Sequence, residues 1–185
     1  ATHENDSQLI VSLLFLGMAL GQLFFGPLSD SIGRKTALSA GLGLFVVGSM
    51  ISMFAETFTL VLVGRFVQGL GVAGPRSVSL ALIRDQYEGR AMARVMSFVM
   101  TIFILVPVIA PTLGQAILMV ANWRAIFAVL AVMALMLFGW FALRQPETLL
   151  PAHRMPFSLQ RIVLVSREVC TNRIAFGYTL VAGLV

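Results

Sequence analysis

The chain has 185 residues, of which 58% are hydrophobic and only 11% are charged, with a net charge of +5. Soluble domains are about half apolar and about a quarter charged, so this composition places most of the chain in lipid. A single cysteine, Cys170, excludes a disulfide within the chain.

Five apolar stretches follow one another along the chain, each long enough to cross a membrane as a helix of about 20 residues. They show no period-2 alternation, which excludes barrel strands. We therefore predict an all-α polytopic membrane protein. No basic region precedes the first stretch, so it is not a signal peptide, and we expect a fragment cut at both ends. The stretches cover about 8–28, 36–55, 58–82, 95–119 and 124–143, and a sixth begins near Ile174.

The cations predict the orientation. The connections 29–35, 83–94 and 144–173 hold ten of the 13 Lys and Arg residues, whereas the opposite side shows only Arg124. Because basic connections stay in the cytoplasm, we expect them there and residues 1–7 outside. The orientation of the membrane spans then explains the net positive charge, which argues against a nucleic-acid partner.

The first connection carries one carboxylate, Asp30, followed by two cations, Arg34 and Lys35. Gly26 and Gly33 allow tight turns there. A salt bridge at this point would lock two helices in one arrangement and release them in another. Alternatively, the two cations only fix the topology. The residues read Gly-Pro-Leu-Ser-Asp-Ser-Ile-Gly-Arg-Lys.

This loop closely resembles the signature loop of the major facilitator superfamily of secondary transporters, Gly-x-Leu-x-Asp-x-x-Gly-Arg-Lys/Arg. In that family a carboxylate at the position of Asp85 joins the charges of the loop. The resemblance therefore implies a gating cluster of Asp30, Arg34 and Asp85.

The third stretch contains a cation, Arg65, inside a predicted span. A charge there costs about 2.5 kcal/mol or more unless it faces a cavity or a partner. Gln68 shares its face of the helix, and Gly69 is one of several glycines that allow close packing. The pattern resembles the second signature of the superfamily, Arg-x-x-Gln-Gly-x-Gly, which implies a role of Arg65 in proton or substrate coupling. The alternative is a structural Arg whose side chain pairs with a helix end.

Arg76, in the same span, departs from the family pattern, which has an apolar residue at this position. Its side chain either extends to the cytoplasmic headgroups or faces the cavity.

Two prolines four residues apart, Pro107 and Pro111, predict a kink in the fourth span. The stretch, with Ala110 and Gly114, resembles the antiporter signature ending Gly-Pro-x-x-Gly-Gly, although Ala110 replaces its first glycine and Gln115 its last. Ala-Pro here and Pro-Glu-Thr-Leu after the fifth span resemble the bicyclomycin-resistance (Bcr/CflA) branch of drug:proton antiporters. The alternative is a packing kink without functional meaning.

The resemblance implies helices two to six of a twelve-helix transporter, plus the start of the seventh. Residues 1–143 would belong to the N-terminal bundle, 144–173 to a cytoplasmic linker and 174–185 to the C-terminal bundle. An amphipathic run in the linker, 157–165, is either a solvated helix or lies on the membrane.

The first functional hypothesis is a proton-driven exporter of drugs or other small amphipathic molecules in the inner (plasma) membrane. A symporter importing a metabolite is the second, and a membrane sensor or scaffold the third. We expect no cofactor, no metal and no enzymatic chemistry, since no nucleotide loop, metal cluster or nucleophile–base pair appears. The expected partners are the bilayer, protons, a small-molecule substrate and the C-terminal bundle of the same full-length chain.

Overall fold

The computed structural model describes residues 4–149, 154–158, 160, 162, 164, 168, 171, 172 and 177. Within these residues it contains five long helices and no strand. All five are long and apolar enough to span a bilayer, which confirms the predicted all-α membrane fold. The predicted sixth span lies outside the described residues except for Gly177. The helices are α1 (Glu4–Ile32), α2 (Arg34–Met53), α3 (Phe58–Gln86), α4 (Gly89–Val120) and α5 (Trp123–Arg144).

Most helix ends extend beyond the limits that hydropathy predicted, although α2 ends at Met53, before its predicted limit. We expected loops over 29–35 and 83–94, and both boundaries are wrong: only Gly33 separates α1 from α2, and two residues separate α3 from α4. A helix bonds its own backbone, so it continues past the hydrocarbon without needing apolar side chains. Hydropathy therefore locates the membrane interior, whereas the helix ends lie in the charged segments outside it.

Helix α3 is the centre of the bundle, because it packs closely against both α1 and α2. A Cβ on Gly69 would overlap the Leu14 carbonyl of α1, and one on Gly48 of α2 would overlap the Gln68 backbone. Such close approach needs small residues. Helix α2 also packs against α5, and an apolar core forms between them and the end of α3. Its buried members are Ala37, Leu38, Leu42 and Val78.

Helix α4 differs from the others because none of its residues is buried. It packs only lightly against α3 and α5. A cavity of about 640 Å³ lies between α4 and helices α2, α3 and α5.

The alternating direction of the helices brings together the ends that carry most of the cations. We call this end, which includes Gly33, Tyr87 and Gln145, the basic end. At the opposite end, Arg124 donates to the Ala55 carbonyl at 2.9 Å and lies over the Trp123 ring.

Candidate functional site: a charged clasp and a buried arginine network

Arg34 holds three helices together at the basic end. Its Nη1 lies 2.6 Å from Asp30 Oδ1 of α1, and its Nε lies 3.1 Å from Asp85 Oδ2 of α3. The Ser29 hydroxyl also accepts from Nη1 at 2.6 Å. The Arg34 side chain is 13% exposed, whereas those of Asp30 and Asp85 are 46% and 33% exposed. These four residues, the Arg34 cluster, thus combine a shielded cation with carboxylates that water reaches.

Glu147, just after α5, caps the first turn of α2. The first N–H groups of a helix have no partner within it, and the N-cap residue Gly33 offers no side chain. Glu147 Oε1 accepts the Arg34 backbone N–H at 2.8 Å, and Oε2 accepts that of Lys35 at 3.2 Å. A carboxylate is also favoured by the positive end of the helix dipole. Glu147 therefore does for α2 what a capping side chain does in other helices.

Gly33 is required at this point for two reasons. Its φ is +103°, a conformation that residues with a Cβ rarely adopt. A Cβ there would also overlap the Glu147 carboxylate. The glycine of the signature loop thus makes room for the cap.

Two further hydrogen bonds tie the segment after α5 to the α1–α2 connection. The Lys35 ammonium donates to the Ala142 carbonyl in the last turn of α5 at 2.7 Å. The Met155 backbone N–H donates to the Asp30 carbonyl at 3.0 Å. Together with the Glu147 cap, these bonds form what we call the clasp. The segment predicted only as a connection therefore folds back onto the signature loop.

Arg65 lies in a hydrogen-bonded chain between α3 and α2. Its Nη1 donates to Gln68 Oε1 at 3.1 Å, and Gln68 Nε2 donates to the Ser49 hydroxyl oxygen at 2.8 Å. The Arg65 guanidinium lies 4.6 Å from the ring centre of Phe127 in α5. We call these four residues the Arg65 network. Among the described residues no carboxylate forms an ion pair with Arg65, so only neutral groups contact its charge.

The sequence of this chain matches a known family over nearly its whole length. Residues 2–185 match the model of the Major Facilitator Superfamily. The chain belongs to the major facilitator superfamily. This is a family of transporters and not of enzymes, in agreement with the expectation from the sequence.

Several curated members of the superfamily are similar to this chain. "Uncharacterized MFS-type transporter YdgK" of Bacillus subtilis (strain 168) is 33% identical over 180 residues, covering 96% of this chain and 45% of that protein. "Multidrug resistance protein MdtL" of Shigella dysenteriae serotype 1 is 36% identical over 154 residues, covering 81% of this chain and 39% of that protein. The same figures hold for MdtL of Escherichia coli (strain K12). The chain thus spans less than half the length of these relatives.

Arg76 of this superfamily member lines the cavity beside α4. Its guanidinium lies 5.9 Å from the ring centre of Phe103 in α4. In the described part of the chain, Arg76 forms no ion pair.

The remaining predicted residues make no hydrogen bond to Arg34 or Arg65 among the described residues. Pro107, Ala110 and Pro111 lie on exposed faces of α4, and Gly114 is half-buried. The helix is continuous through this stretch, and within the described residues it supplies no hydrogen bond to either site. Gly69 serves the contact between α3 and α1 and does not line the cavity.

The prediction of a tight turn at Gly26 is wrong, because the residue lies inside α1 with no positive φ. A Cβ on Gly26 would meet nothing within 4 Å. The next residue, Pro27, gives a physical reason for glycine, since the proline ring disfavours helical backbone in a preceding residue with a Cβ.

Sequence reasoning missed three contributors: Ser49, Phe127 and the capping role of Glu147. Glu147 had a signal, because an α2 that begins at a glycine leaves its first N–H groups without a local partner. Ser49 and Phe127 had none, since their helices carry many similar residues. In the described residues, no group of three or more His, Cys, Asp or Glu side chains is placed to hold a metal ion.

Proposed function

We propose that this chain is the N-terminal half of a secondary transporter that exports drugs or other small amphipathic molecules in exchange for protons. The observation that carries the proposal is the Arg34 cluster, in which one guanidinium joins three helix ends through exposed carboxylates. The printed name of MdtL, a multidrug resistance protein, supports export of drugs. We place the chain in the Bcr/CflA branch on the Ala110–Pro111 and Pro146–Glu147 sequences.

The Arg34 cluster and the clasp would act as a gate at the basic end, which we assign to the cytoplasmic face of the inner membrane. Ion pairs between exposed carboxylates and a cation contribute about 1 kcal/mol or less each, so they break and re-form at low cost. Breaking the contacts of Arg34 releases its ion pairs to α1 and α3 at the basic end at the same time, while the helices stay packed elsewhere. A gate of this kind suits a bundle that rocks between two arrangements.

Arg65 would couple protons to the substrate. Its charge lies inside the membrane-spanning part of α3, where an uncompensated cation is costly. Since its described partners are neutral, the site favours a carboxylate that arrives with the substrate or belongs to the C-terminal bundle. Protonation of such a carboxylate would weaken its attraction to Arg65, which links proton binding to substrate binding. The proton gradient would supply the energy, without a cofactor.

The test uses the complete gene product in inside-out membrane vesicles with an acid interior and a pH-reporting dye. Addition of compounds from a panel of antibiotics and cationic dyes is expected to collapse the gradient. Asp30→Asn should weaken this response about tenfold while the protein level stays normal. No response to the whole panel, with the protein present, would contradict drug:proton antiport and favour metabolite symport, to be followed by radiolabelled uptake. Absence of both activities would favour a sensor or scaffold.

A further inference from the structure

We propose that Ser49 of α2 is a positioning residue for proton coupling, which fixes the amide of Gln68 so that its oxygen faces Arg65. The proposal rests on the coupling role of Arg65 given above. Ser49 lies outside both signature sequences, on a helix that contributes no charge to the network.

The two ends of the hydrogen-bonded chain determine its direction. Arg65 can only donate, because a guanidinium has no acceptor. The Phe45 carbonyl can only accept, and the Ser49 hydroxyl lies 2.8 Å from it. The single hydroxyl proton of Ser49 is therefore used on Phe45, and Ser49 presents only an acceptor to Gln68.

This direction leaves one orientation for the Gln68 amide. Its nitrogen must donate to Ser49, at 2.8 Å, so its oxygen must point at Arg65, at 3.1 Å. The reverse orientation would place the amide N–H groups against the guanidinium N–H groups and would leave the hydroxyl without its bond to Phe45. Bonds aligned in one direction also polarise one another. The chain therefore directs the negative end of an amide dipole at the charge of Arg65.

The orientation of the Gln68 amide depends on Ser49 because both side chains are buried. Ser49 is 0% exposed and Gln68 is 1% exposed, so water cannot replace a lost partner of the amide. Close contact of α2 and α3 at Gly48 and Gly64 keeps the two side chains at this distance. A buried donor that loses its acceptor rotates or finds another acceptor, because a buried donor without a hydrogen bond is costly. Removing the Ser49 hydroxyl would therefore change the position of the Gln68 amide oxygen that accepts from Arg65.

One buried donor of Arg65 is left unused by the network. Its Nε is buried and has no hydrogen-bond partner among the described residues. With one Nη1 bond to Gln68 and the ring of Phe127 beneath it, the guanidinium is held with Nε free. Ser49 thus acts on coupling through Gln68 and does not touch the substrate itself.

The chain offers a matched control in Ser52, one turn further along α2. Ser52 is also 0% exposed, and its hydroxyl has no partner among the described residues. Ser49→Ala and Ser52→Ala remove the same atom from the same helix at the same burial. They differ in the bonds of that atom, because the Ser49 hydroxyl bonds Phe45 and Gln68 and the Ser52 hydroxyl bonds no described residue.

The experiment measures two activities of the complete gene product in vesicles with each variant. One is uphill transport driven by a pH gradient, and the other is exchange of labelled for unlabelled substrate without a gradient. Ser49→Ala should lower uphill transport by about tenfold, the factor given by about 1.4 kcal/mol, and leave exchange within about twofold. Ser52→Ala should leave both at the wild-type level. Equal effects of the two variants, or an equal loss of both activities in Ser49→Ala, would overturn the proposal.

A double-mutant cycle tests the route through Gln68. If Ser49 acts only by orienting the amide, Ser49→Ala should have no further effect in a Gln68→Leu background, because the effects of coupled residues are not additive. Effects that multiply would show that Ser49 acts independently and would overturn the proposal. Arg65→Ala separates this inference from the proposed function: retained uphill transport in that variant refutes the coupling role itself. Loss in Arg65→Ala with no change in Ser49→Ala refutes the Ser49 inference alone.

Discussion

The Arg34 cluster and the Arg65 network each place one guanidinium between α2 and α3, but they satisfy it differently. Arg34 contacts two carboxylates that are 46% and 33% exposed. Arg65 contacts an amide and an aromatic ring, both on tightly packed helices. Water at the basic end lowers the cost of separating charges, whereas the membrane interior makes a lone charge expensive. The first arrangement therefore suits a contact that opens and closes, and the second suits a charge held ready for a partner.

The largest effect expected from this difference is that of Arg65→Ala. It removes the only formal charge of the network, so uphill transport should fall by about a hundredfold, equivalent to about 2.7 kcal/mol. Gradient-driven transport in vesicles, normalised to protein level, measures this loss. Arg65→Lys should restore part of it, because an ammonium keeps the charge but loses the planar set of donors. Undiminished coupled transport in Arg65→Ala would mean that the residue is structural.

The next effect is that of Asp30→Asn in the Arg34 cluster, which should lower transport about tenfold. The asparagine still accepts a hydrogen bond but loses the charge that makes the bond to Arg34 strong. Asp85→Asn is the matched control, because Asp85 contacts the same Arg34 guanidinium at 3.1 Å, whereas Asp30 contacts it at 2.6 Å. Its effect should be smaller, about threefold. A larger loss in Asp85→Asn than in Asp30→Asn would reverse the ranking that the geometry gives.

Disrupting the clasp should have a smaller effect, which we expect in the thermal stability of the protein. Glu147→Ala removes the cap of α2, which costs about 1 kcal/mol by analogy with other caps, and the melting temperature in detergent should fall by a few degrees. Glu88→Ala is the control, since Glu88 is the N-cap residue of α4 but makes no capping hydrogen bond. Equal melting temperatures for the two variants would show that the Glu147 contacts do not stabilise α2.

The smallest effect is expected for Arg76→Gln. Arg76 is exposed on the cavity wall beside the lightly packed α4, and its one described partner is a ring at 5.9 Å. Transport should stay within about twofold of wild type, as for most exposed substitutions. A loss comparable to that in Arg65→Ala would assign Arg76 to the coupling machinery.

The sequence predicted the five helices and the approximate position of each, because apolar length is a strong signal in a membrane chain. It misplaced the helix ends at Gly33 and at 83–94, since a helix does not stop where hydropathy does. It named Asp30, Arg34 and Asp85 before the structure placed them within ion-pair distance. The resemblance to the signature loop of the family, and not the order of charges alone, implied this cluster.

Other parts of the site depend on three-dimensional packing that the sequence does not encode locally. Ser49 is 19 residues from Gln68, and Glu147 is 113 residues from Arg34. A serine in an apolar helix is common and does not stand out, and the uncapped start of α2 indicates that a cap is needed without indicating that Glu147 supplies it. Only the close contact of α2 with α3, and the return of the segment after α5, give these residues their partners.

The most direct test compares Arg65→Ala with Asp30→Asn in one vesicle preparation of the complete gene product. Both uphill transport and gradient-free exchange of a labelled substrate are measured. We expect Arg65→Ala to lose uphill transport but to keep exchange, because coupling is lost while the gate still moves. Asp30→Asn should slow both activities, because the gate itself is impaired. If the two variants show the same ratio of uphill transport to exchange, the separation of a gate from a coupling site is contradicted.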